Sequence, residues 1–127
     1  MERQRARRAT ALLGVVALAV ACAARQASLE DTALTVGELA LTVDRLEREA
    51  FAAGLYGADR HAALGTQVLQ VLRAARALER AAAAGRDGTL QRQELAAVLD
   101  DLARVVQDIP PLMTAVRAVQ QFLAGAV

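Results

Sequence analysis

Residues 62–82 read AALGTQVLQVLRAARALERAA. Apolar side chains fall at Leu64, Val68, Val71, Ala75, Leu78 and Ala82, in alternating steps of four and three. Residues three and four apart share one side of an α-helix, so this spacing lines a single helical face with apolar groups. Arg73, Arg76 and Arg80 fall on the opposite face. No strand-like alternation of apolar and polar residues competes with this reading. The segment predicts a long amphipathic helix whose apolar face needs other helices to cover it.

Working outward, the same spacing recurs. Before this segment stand Leu29, Thr32, Val36, Leu39, Val43, Leu46, Ala50 and Ala53, a stripe that stops at Gly54-Leu55-Tyr56-Gly57. After it, Gly85-Arg86-Asp87-Gly88 marks a turn in which Gly85 closes one helix, Asp-Gly redirects the chain and Thr89 caps the next helix. A third stripe follows at Leu95, Val98, Leu102, Val105 and Ile109, widened by Leu99 and Val106. Pro110-Pro111 interrupts it, because proline lacks the N–H that a helix interior requires. A fourth stripe, Leu112, Val116, Val119 and Leu123 with Phe122 beside it, fills a last helix from Pro111 to Gly125. Short turns between such helices make neighbours antiparallel. The expected fold is all-α: an up-down bundle, or a long helical hairpin carrying two shorter helices, over residues 29–127. The first two helices should be the longest.

Composition agrees. Apolar residues are 55% of the 127, but aromatic ones only 2%, so the core must be built from Ala, Leu and Val. Such side chains suit close helix packing better than a β-sandwich. All fifteen positive charges are Arg. Arg3, Arg5, Arg7 and Arg8 stand against Glu2 in residues 1–21, which leaves eleven Arg and thirteen acids in the remainder. That remainder is no basic nucleic-acid binder. The i,i+4 pairs Asp44–Arg48, Arg45–Glu49 and Asp100–Arg104 mark solvated faces.

The first residues have another character. Arg3 to Arg8 form a positive start, and Ala9 to Ala24 then run uncharged as ATALLGVVALAVACAA. As a helix these sixteen residues span about 24 Å, less than the roughly 30 Å hydrocarbon core of a bilayer. A charged start, a short apolar run and small residues at its exit make a signal peptide, residues 1–21. The exit Leu18-Ala19-Val20-Ala21-Cys22 holds the only cysteine of the chain. It resembles the lipobox of bacterial lipoproteins, departing from the commonest pattern in having Ala19 three places before the cysteine and Leu18 one earlier. The resemblance covers residues 1–22. It implies cleavage between Ala21 and Cys22, diacylglyceryl transfer to the Cys22 sulfur, often acylation of the new amino group, and a tether over residues 22–28. Two other readings stay open: ordinary cleavage after Ala21 or Ala23, and an uncleaved anchor. Arg7-Arg8 is not followed by the large apolar residues of a twin-arginine signal, so general secretion is expected.

Chemistry-bearing groups are sparse. His61 is the one histidine, Cys22 the one cysteine, and the hydroxyls after Cys22 are Ser28, Tyr56 and six threonines. Asp59 beside His61 reads as a first-turn acid favouring the helix dipole rather than an acid–base pair. Asp87-Gly88-Thr89-Leu90 with Glu94 resembles half a calcium loop, but Ala83 and Gly85 stand where the first acidic ligands belong. No zinc set, phosphate loop or catalytic triad is present, so no metal, cofactor or enzymatic activity is expected.

The sequence therefore reads as a non-enzymatic, lipid-anchored envelope protein, a helical scaffold or interaction module, with the periplasmic side of the outer membrane favoured over the inner membrane or cell surface. Ala23 after the cysteine is the reason, since it is not the aspartate linked to inner-membrane retention. Partners are the membrane, through the lipid, and a protein or a second copy, met through the Val116, Val119 and Leu123 seam. Arg73, Arg76 and Arg80 form a second docking stripe for anionic headgroups or an acidic partner. The alternatives are a helical carrier of an apolar ligand and a prophage-encoded lipoprotein, such as one that excludes a second infecting phage.

Overall fold

A computed structural model describes residues 29–125. Among them are four α-helices and no strand: α1 over residues 29–52, α2 Ala58–Ala83, α3 Thr89–Val105 and α4 Pro110–Gly125. The expected all-α fold is what forms, and α1 and α2 are indeed the longest helices. The signal peptide, Cys22 and the tether lie outside the described residues. No described helix is long and apolar enough to cross a membrane.

The helices alternate in direction. Gly37 and Glu47 of α1 lie against Glu79 and His61 of α2, so rising numbers on one meet falling numbers on the other. Asp100 of α3 accepts a hydrogen bond from Gln120 of α4 at 2.9 Å, while Thr89 and Leu123 line one groove farther along. The arrangement is an up-down bundle whose single core draws on all four helices.

Two of the three turns share one device. Arg86 N–H donates to the Ala81 carbonyl and Gly85 N–H to Ala82, at 2.9 and 3.0 Å. This Schellman pairing satisfies carbonyls that the end of α2 would otherwise leave open, and it sets Gly85 at φ 71°. Leu55 and Gly54 repeat it on Ala50 and Phe51 at the end of α1. The start of α3 differs from expectation. Thr89 is the first helical residue rather than the cap; Gly88 caps at φ 70°, and Asp87 Oδ1 accepts from the Thr89 N–H at 3.1 Å. A Cβ on Gly88 would stand 2.9 Å from Leu78 Cδ1, so both conformation and space demand glycine. The prolines do not end a helix; they begin one. Pro110 opens α4, where its missing N–H is one that the first turn leaves unused anyway.

The stripes of α2 and α4 are buried along their whole length, from Leu64 to Ala82 and from Leu112 to Leu123. In α3, Leu99 and Val106 take the centre of the core face with Leu95, Leu102 and Ile109, while Val98 is half-buried and Val105 is exposed. The register of α1 is corrected further. Its buried face runs through Ala33, Val36, Ala40, Val43, Glu47 and Ala50, with Leu39 and Leu46 on the flank and Ala53 exposed. Small side chains at the centre let α1 approach its neighbours closely, and the leucines lie where the widening gap has room for them. The Glu79 carboxylate of α2 lies over Gly37, in the space a side chain there would take.

Candidate functional site

The end of the bundle that holds the α1–α2 and α3–α4 turns gathers polar and aromatic groups. Glu47 occupies a core position of α1, where its side chain is 3% exposed. Its carboxylate meets Nδ1 of His61, near the start of α2, at 2.5 Å. The His61 ring lies flat on Phe51, with centroids 4.0 Å apart and planes 5° apart. The Tyr56 hydroxyl, from the intervening turn, donates to the Glu47 carbonyl at 2.8 Å. Burial, and then the nearby Glu47 charge, raise the Tyr56 pKa above its ordinary value against the pull of Arg60.

Arg60 ties this cluster to the α3–α4 turn. Its guanidinium lies 5.7 Å from the Tyr56 ring centroid and grips both oxygens of Asp108, at 2.7 and 2.5 Å. It also donates to the Val105 carbonyl at 2.8 Å. The hydrogen bond to Asp108 raises the Arg60 pKa, and the same bond holds the Asp108 carboxyl below its usual value. A bidentate fork of this kind fixes geometry more firmly than a point charge.

Asp59 is the first-turn acid of α2, as expected, and leaves His61 to another group. The partner of His61 is Glu47, fourteen residues away across a turn, and not Asp59, which is exposed. A histidine held by a carboxylate is a pair able to move a proton to or from a substrate or a water. The one hydroxyl in the cluster, Tyr56, is committed to a backbone carbonyl. The arrangement fastens helix ends. Asp87 and Glu94, which resembled calcium ligands, belong to no grouping of three or more candidate metal ligands among the described residues.

The seam expected to meet a partner is spent internally. Val116 and Val119 are 0% exposed and Leu123 7%, all within the chain's own core. A helix with α4's apolar face first covers the nearest apolar surface, and that surface belongs to α1–α3. The partner role of Val116, Val119 and Leu123 is therefore withdrawn. Arg73, Arg76 and Arg80 are exposed, and none forms an ion pair among the described residues. Large apolar side chains accompany them. Leu34 and Leu41 on α1 are each 58% exposed and Leu69 on α2 is 45%. Leu41, Leu72 and Arg76 line one hollow between the two helices together with Glu38 and Glu79, while Arg73 lines another, between α2 and α3, with Glu94.

The surface pairs depart from the expected ones in one place. Asp44–Arg48 and Arg45–Glu49 form as expected, but Arg104 turns to Asp101, while Asp100 takes Gln120 instead. The other surface feature is a groove of about 660 Å³ between α3 and α4, the kind of hollow that the alternative of an apolar-ligand carrier requires. Buried Leu99 and Leu123 form its floor, with Ala96 and Ala124 as walls and Arg92 at its rim. Comparison of the chain with protein-family profiles, curated proteins and solved structures finds no match.

Proposed function

We propose that this chain is a non-enzymatic envelope protein, exported and anchored by lipid on Cys22, whose bundle docks an acidic, apolar segment of a partner protein on its α1–α2 face. One observation carries the docking: Arg76 lines a hollow with Leu41 and Leu72, Leu34 and Leu69 are exposed on the same two helices, and Arg73, Arg76 and Arg80 form no ion pair among the described residues. Singly exposed leucines are ordinary, but leucines exposed on the same two helices as surface arginines match the composition of recognition surfaces. Arginine is suited to this work because its planar fork binds carboxylates in pairs. The cluster around Glu47, His61, Tyr56 and Arg60 ties the helix ends to the turns and holds the bundle rigid behind this face.

The test places a photo-crosslinking phenylalanine analogue at Leu69 in the native host. The expected result is one protein adduct in the membrane fraction, joined through an acidic peptide and lost when Arg73, Arg76 and Arg80 are changed to Glu. Cys22→Ser should release the protein from the membrane or leave its precursor uncut. Adducts that survive the charge reversal, or that map to basic peptides, overturn the docking. An unmodified Cys22 in the intact mass overturns the anchor.

A further inference from the structure

The α3–α4 groove lies on another face, and the structure shows where the chain that precedes it leaves the bundle. Leu29, the first described residue, packs against Gly88: its Cδ2 is 3.7 Å from the place a Gly88 Cβ would take. The next residue, Thr89, lines the mouth of the groove. From Thr89 the groove follows α3 to Asp100, about 16 Å at the helical rise. There the Asp100–Gln120 hydrogen bond crosses between the helices. Its walls are apolar, and its volume lies within the range of small-molecule sites, roughly 300–1,000 Å³. Cys22 is seven residues from Leu29, and seven residues reach at most about 25 Å.

We infer that this groove shelters an acyl chain of the protein's own Cys22 anchor when the protein is away from a bilayer. The inference rests on the lipid-anchor reading above. Each methylene of an acyl chain gains free energy on leaving water, so a free anchor beside an apolar groove does not stay solvated. The anchor's attachment point is within reach of the mouth, and Leu99 and Leu123 offer it a floor. The apolar run of residues 9–24 does not suit the groove, since as a helix it is about 24 Å long and exceeds it. In a membrane the bilayer competes for the same chain, so occupation of the groove marks the protein in transit.

The experiment feeds cells a diazirine-bearing fatty acid, which enters the anchor, and irradiates the full protein after its release into aqueous buffer. The expected crosslinks fall within residues 89–100 and 118–124. Ala96→Trp, at an exposed position in the groove wall, should remove most of them and keep the helical circular dichroism. Thr66→Trp, on an exposed face of α2, should leave them intact. Crosslinks on other faces, or unchanged groove crosslinks in Ala96→Trp, overturn the inference while leaving the anchor standing. A Cys22→Ser chain whose groove is labelled as strongly as wild type points to free fatty acid as the occupant and also overturns it. Absence of the lipid mass on Cys22 refutes the anchor reading itself, and the inference falls with it.

Discussion

Glu47 and His61 offer the sharpest test of how this bundle is held together. The carboxylate is 3% exposed and the imidazole 34%, so removal of one partner does not mirror removal of the other. His61→Ala leaves a carboxylate in the core without its partner. Breaking a fully buried pair costs roughly 3–5 kcal/mol, and the partial exposure of His61 admits water and lowers this to about 2 kcal/mol. Loss of the flat stacking on Phe51 adds about 1 kcal/mol, for a total near 3 kcal/mol. Glu47→Leu removes the buried charge and supplies an apolar side chain at a core position, and its effect should stay within about 1 kcal/mol of zero. In the double variant no carboxylate remains to be stranded, so His61→Ala then costs only the stacking, about 1 kcal/mol. The four proteins are compared by urea unfolding of residues 25–127 at pH 7, followed by far-ultraviolet circular dichroism with matched slopes. The expected coupling is about 2 kcal/mol. Additivity within about 0.5 kcal/mol, or a Glu47→Leu cost equal to that of His61→Ala, would refute the claim that a stranded charge is the main penalty.

Further outcomes follow from other contacts. Gly88→Ala forces a left-handed conformation on a residue with a Cβ, about 1–2 kcal/mol, and drives that Cβ against Leu78; the same unfolding experiment should show a loss at or above this range. Val119→Asp places an unpaired charge at a fully buried position and should cost more than about 3 kcal/mol; a folded, unchanged bundle would return α4 to the surface. Asp108 has a folded-state pKa below its ordinary 3.8, so its clamp on Arg60 contributes above that value and is lost as pH falls through the folded value; an acid titration of Asp108→Asn should lack that step. Tyr56 is shifted upward, so its contribution is present below its ordinary 10.0 and lost as pH rises through the folded value, a loss that Tyr56→Phe should remove from the alkaline limb.

Helix existence and turn position were legible in the sequence because both are local. A 3-4 apolar period needs only neighbouring residues to define a face, and Gly85 or Pro110 acts within a single turn of chain. The stripes of α2 and α4 were read correctly because each has one unambiguous line of apolar residues flanked by polar ones. In α1 two adjacent lines compete, Leu39 and Leu46 against Ala40 and Glu47. The period is the same for both, and the choice depends on how near α2 comes. That distance is a property of two helices rather than of one.

The tertiary structure alone decided which distant groups met. His61 stands two residues from Asp59 in sequence yet pairs with Glu47, because the α1–α2 turn folds position 47 onto position 61 while Asp59 points to solvent. Arg60 reaches Asp108 only because the α3–α4 turn returns to the same end of the bundle. The α4 seam looked available for a partner because the sequence shows an apolar face without showing what covers it. Apolar burial is non-directional, so periodicity names the faces that must be covered, and the packing of the whole chain determines what covers each one.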